Sequence, residues 1–86
     1  MKYGVVRRTR FEKECFLQIF VFENDEAVCI HKTCLQKGNF FDKKNLTTIQ
    51  IGSNICYLRN SENLIEVRRY DLCAREETVV ITLEVE

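Results

Sequence analysis

Cys29, His31 and Cys34 form a Cys-x-His-x-x-Cys run, the place where cysteine and histidine crowd closest in this sequence. Zinc favours thiolate and imidazole nitrogen, and Cys29 and His31, two apart on a strand, are expected on the same face. A structural site needs four ligands, and no second pair stands at a matching spacing. No metal and no cofactor is therefore expected. Nucleophilic catalysis has as little to build on. His31 is the only histidine, so it could serve one cysteine alone as a base. No glycine-rich loop, nucleophile elbow or convergent carboxylate pair marks a pocket. The chain is expected to be no enzyme.

A different chemistry is written in the stretch from Glu14 to His31. Leu17, Ile19 and Val21 alternate with Phe16, Gln18, Phe20 and Phe22. On a strand of period two, one face is aliphatic and the other aromatic. Proteins that hold single-stranded nucleic acid combine aromatic rings, on which bases stack, with cations that follow the backbone. The candidate stacking residues are Phe16, Phe20, Phe22 and His31. The candidate cations are Arg7, Arg8, Arg10, Lys32, Lys37, Lys43 and Lys44, the last two close to Phe40 and Phe41. The competing reading is that the phenylalanines fill a small core.

These residues must be positioned by strands. Residues 3–10, 14–22, 27–32, 55–59, 64–70 and 78–85 read as strands, and residues 46–51 as a strand or an extended connector. Glu23-Asn-Asp-Glu26, Gly52-Ser-Asn54 and Asn60-Ser-Glu-Asn63 read as turns between them. In the last strand Val79, Ile81, Leu83 and Val85 are expected on one face, with Val80 interrupting a polar second face. A short helical turn is expected at residues 33–37, stopped by Gly38. No segment supports a long helix. Short strands at this spacing suggest a closed barrel or a small sandwich.

Composition bounds the rest. Eighty-six residues at 45% apolar content make one domain, residues 1–86, with a small core. The net charge is zero, with 13 basic and 13 acidic residues, which argues against a strong polyanion binder. Residues 1–44 hold nine Lys/Arg and six Asp/Glu, a net of +3, and residues 45–86 hold four and seven, a net of −3. No run is apolar for long enough to span a membrane, and no cleavable leader is recognisable. Five cysteines in irregular spacing fit a reducing, intracellular compartment, cytoplasmic or nuclear.

Three short motifs resemble the cold-shock and S1-like branch of the OB fold. Tyr3-Gly4-Val5-Val6-Arg7 resembles the first-strand pattern Gly-x-Val-Lys. Val28-Cys29-Ile30-His31-Lys32 resembles the third-strand motif Val-Phe-Val-His-Phe. Ile51-Gly52-Ser53-Asn54-Ile55-Cys56-Tyr57 resembles the turn into the fourth strand, Gly-Gln-x-Val-x-Phe. The resemblance covers residues 3–70. It implies stacking of single-stranded bases on the second and third strands, where His31 keeps its match and Phe20 and Phe22 sit near the family's Lys-Gly-Phe-Gly-Phe motif. Cys29 and Lys32 replace two family aromatics, and Arg8 stands where a first-strand tryptophan would lie. Residues 71–86 have no counterpart.

The expected fold is all-β, a small five-stranded OB-like barrel with an additional C-terminal strand in residues 71–86. The expected function is weak binding of single-stranded RNA or DNA, with Phe20, Phe22 and His31 stacking and Arg7, Arg8 and Lys32 meeting phosphates. The alternative is a protein-interaction domain that has lost nucleic-acid binding, with a homodimer formed through an edge strand at residues 78–85.

Overall fold

In the computed structural model, residues 2–12, 14–36, 48–61 and 64–84 are described. They form seven strands: β1 (Val5–Phe11), β2 (Glu14–Glu23), β3 (Glu26–Gln36), β4 (Thr48–Ile51), β5 (Asn54–Ser61), β6 (Leu64–Asp71) and β7 (Glu76–Glu84). They pair in two antiparallel sheets, β1-β2-β3 and β4-β5-β6-β7. The all-β expectation agrees with this. The five-stranded barrel does not: the described residues form seven strands and no closed barrel. Among the described residues every ladder joins strands adjacent in the chain, and none joins the first sheet to the second. The sheets are held to each other by side chains instead.

Local chemistry explains the hairpins. Asn24 and Asp25 both have positive φ, 50° and 64°, the geometry of a two-residue turn whose twist suits a hairpin. Gly52, at φ 60°, begins the β4–β5 turn. Between β6 and β7 the Asp71 carboxylate accepts hydrogen bonds from the Cys73 and Ala74 N–H groups at 2.8 and 3.0 Å. These bonds hold its carboxyl below the ordinary carboxylate value.

The core is the expected aliphatic face of β2 and what it meets. Cys15, Leu17, Ile19 and Val21 are buried, together with Leu35, Ile55, Tyr57, Tyr70 and Leu72. Gly4 passes so close that an added Cβ would lie 2.7 Å from Ile55 Cδ1. This contact brings the start of β1 against the second sheet.

Two strands depart from simple alternation. The β2–β3 register steps from Ile19↔His31 to Phe20↔Cys29, so Ile30 is a bulged residue. The β6–β7 register steps from Arg68↔Val79 to Val67↔Ile81, so Val80 is another. Each bulge corrects an expectation. Cys29 shares a face with Phe20, whereas His31 shares the opposite face with Ile19. Likewise Val79 lies on the inward row with Arg68, while Ile81 and Leu83 lie on the outward row with Val67 and Ile65. Val85 lies outside the described residues. The helical turn expected at 33–37 is also replaced, because β3 runs on through Gln36; Lys37 and Gly38 lie outside the described residues. No helix among the described residues is long and apolar enough to cross a membrane.

Candidate functional site

The outward face of β1-β2-β3 is built by register. One row across the three strands is Arg7, Gln18 and Lys32. The row on one side is Thr9, Phe16 and Cys34, and on the other Val5, Phe20 and Cys29. Phe22 follows beyond, opposite Ala27. Phe16 and Phe20 are half-buried and Phe22 is 68% exposed. Lys32 Nζ sits 4.9 Å from the centre of the Phe16 ring, a cation–π contact. Among the described residues of these strands, the register places one carboxylate on this face, Glu14.

Of the six residues that the sequence singles out, the structure brings four together here: Phe20, Phe22, Arg7 and Lys32. Arg8 pairs with Leu17 and belongs to the opposite face of the sheet. His31 also faces the other way, between the sheets. Phe40, Phe41, Lys37, Lys43 and Lys44 lie outside the described residues.

His31 belongs to a polar network that sequence reasoning missed. Its Nε2 lies 2.6 Å from Glu77 Oε2, and its ring stacks on Tyr70 with centroids 4.4 Å apart. The Tyr57 hydroxyl donates to the same Glu77 oxygen, and Arg68 donates to the other. Arg68 also bonds Glu66 at 3.2 Å, and Glu66 accepts from Arg59 at 3.1 Å. Arg59 Nε in turn donates to the Cys34 carbonyl of β3 at 2.9 Å. The Tyr70 hydroxyl donates to the carbonyl of the bulged Ile30 at 3.3 Å. Four strands of both sheets are thus tied through one carboxylate-centred cluster. No local signal could have found it, because His31 and Glu77 are 46 residues apart in the chain.

Electrostatics follow from this geometry. Burial by itself would raise the Glu77 carboxyl, but hydrogen bonds from Tyr57 and Arg68, and the His31 ring beside it, bring it below the ordinary carboxylate value. Burial, and then the Glu77 carboxylate, push the Tyr57 hydroxyl upward. The sign for stability is therefore definite. A depressed Glu77 contributes stability above the ordinary carboxylate value, and that stability is lost as pH falls through its lower folded value. Melting temperature is expected to fall between pH 5 and pH 3, and Glu77→Gln should flatten part of that decline. An equal slope in the variant would remove Glu77 as a cause.

The second sheet presents a different surface. Its outward rows hold Ile49, Ile51, Cys56, Leu58, Ile65, Val67, Ile81 and Leu83. Ile49, Ile51, Ile81 and Leu83 are between 50% and 60% exposed. A shallow hollow of about 230 Å³ is lined by Ile49, Cys56, Tyr57, Leu58 and Val67. β4 and β7 are the edges of this sheet.

No protein-family model matches the chain, and no curated protein and no solved structure shows significant similarity to it.

Proposed function

We propose that this chain is a small non-catalytic module that binds single-stranded RNA or DNA weakly on the outward face of β1-β2-β3. The observation that carries the reading is the Arg7–Gln18–Lys32 row set between Phe16 and Phe20, with Phe22 beyond. Rings supply stacking surfaces that tolerate any base, and the interleaved cations meet phosphates. Two cations among the described residues of the face and a net charge of zero keep the affinity low and make it depend on salt. His31 and Arg8 have no part in this surface. Five cysteines in irregular spacing, with Cys29 and Cys73 exposed, support a reducing compartment. A protein-interaction role is the second reading, favoured by the aliphatic outward face of the second sheet.

The test is fluorescence anisotropy with a labelled mixed-sequence oligonucleotide, read across salt. Binding is expected at low salt and to weaken steeply by about 200 mM. Phe22→Ala should weaken it about tenfold, as expected for one lost stacking contact. Arg7→Gln with Lys32→Gln should also flatten the salt dependence, whereas Arg69→Gln, on the other sheet, should not. No binding at low salt overturns the reading in favour of the protein partner.

A further inference from the structure

We infer that Gln18 is the base-reading residue of the β1-β2-β3 face, and that it selects adenine in the base stacked on Phe20. This rests on the nucleic-acid reading of the face and adds a specificity to it. Gln18 stands at the centre. Along β2 it lies between Phe16 and Phe20, and across the ladder between Arg7 and Lys32. It is half-buried, and among the described residues its carboxamide makes no hydrogen bond. Gln50 is the structural counterpart. Its amide accepts from the Gly4 N–H at 3.2 Å and donates to the Lys2 and Gly52 carbonyls at 2.8 and 2.9 Å, so it fastens one stretch of backbone to another. Gln18 fastens nothing, and its amide donors and its carbonyl acceptor stay open to whatever lies on the rings.

The neighbours decide the geometry. Lys32 Nζ lies over the Phe16 ring, 4.9 Å from its centre, whereas among the described residues no cation lies over Phe20. Phe20 is therefore the open stacking surface, and the strand rises about 7 Å from it to Gln18. A base stacked on Phe20 sits beside the Gln18 amide and turns an edge toward it. Adenine carries a donor, its 6-amino group, next to an acceptor, N7, and one carboxamide meets both. Guanine presents two acceptors there, N7 and O6, which call for a cation, and Arg7 and Lys32 serve the phosphates. A purine also reaches farther across the gap than a pyrimidine. The neutral amide suits this place for a second reason. A glutamate at position 18 would pair with Arg7 and Lys32 on either side and cancel the charge that draws phosphates. Glutamine supplies a polar edge without cancelling it.

The experiment compares oligonucleotides of about eight thymines, unbroken or carrying adenine, guanine or cytosine at one central position, by anisotropy at low salt. The wild-type chain is expected to bind the adenine strand about tenfold more tightly than the all-thymine strand, the worth of one bidentate contact. Gln18→Ala should leave the affinity for the all-thymine strand nearly unchanged and lose the preference. That retained binding, with an unchanged circular dichroism spectrum, shows the variant to be folded. Equal binding of all four strands by the wild-type chain overturns the inference and leaves nucleic-acid binding standing. A preference for guanine or cytosine overturns it as well, and so does an adenine preference that Gln18→Ala retains. If no strand binds, the nucleic-acid reading fails and the role of Gln18 fails with it.

Discussion

Glu77→Ala is expected to destabilise the fold by about 3 kcal/mol, the magnitude of breaking a largely buried ion pair from one side. The loss exceeds that of one contact because three groups lean on this carboxylate. Tyr57 and His31 meet one oxygen and Arg68 the other. Removing it strands a guanidinium that is 18% exposed beside Glu66, and leaves a tyrosine hydroxyl without an acceptor. In a domain of this size the melting temperature should drop by about 10–20 °C. Glu77→Gln keeps an acceptor for Tyr57 and loses the charge, so it should fall between wild type and Ala. Arg68→Ala combined with Glu77→Ala should cost less than the sum of the two, because each removes the other's partner. Thermal denaturation of the four proteins decides the matter. Strict additivity, or a loss under about 0.5 kcal/mol for Glu77→Ala, would remove the cluster as a fastening between the sheets.

Leu17→Ala should cost about 3 kcal/mol as well, by a different mechanism. Leu17 is 0% exposed at the centre of β2, so its truncation removes apolar contact and leaves a cavity that the two sheets close only partly. The informative comparison is with Phe22→Ala on the same strand. That side chain is larger, yet its exposed position should hold the cost to about 0.5 kcal/mol. The smaller residue thus has the larger effect, and urea denaturation of both variants checks it. A Phe22→Ala loss equal to that of Leu17→Ala would mean that the phenylalanine row is buried against something.

These expectations also mark what the chain discloses in one dimension. β2 was legible because Cys15, Leu17, Ile19 and Val21 obey a period of two with no interruption, and hydrophobic burial follows that period directly. The Asn24-Asp25 turn was legible because those residue types tolerate positive φ. The faces of β3 and β7 were not. A bulge at Ile30 or Val80 shifts the phase by one residue, and no glycine stands at either position to signal it. That shift moved His31 off the aromatic face and separated it from Cys29. Barrel closure was equally hidden, because it depends on which distant strands share a ladder. Phe20, Phe22, Arg7 and Lys32 share a face because β1 and β2 pair without interruption and the bulge at Ile30 leaves Lys32 opposite Gln18. The His31 assignment failed because its environment is made by Glu77 and Tyr70 of the other sheet.

The purely sequential ladders bear on how the chain assembles. Each strand finds its partner a few residues away, so zipping either three- or four-stranded ribbon closes only short loops and costs little chain entropy. The slow event is left to the meeting of the two ribbons. The part of the chain up to residue 44 carries a surplus of three positive charges and the remainder a surplus of three negative ones. Two of the three surplus positive charges lie in the connecting residues 37–44. Residues 2–36 hold six Lys/Arg and five Asp/Glu, a net of +1, and residues 48–84 hold four and six, a net of −2. Long-range attraction between the ribbons is therefore weak, and raising the ionic strength should slow their encounter only slightly.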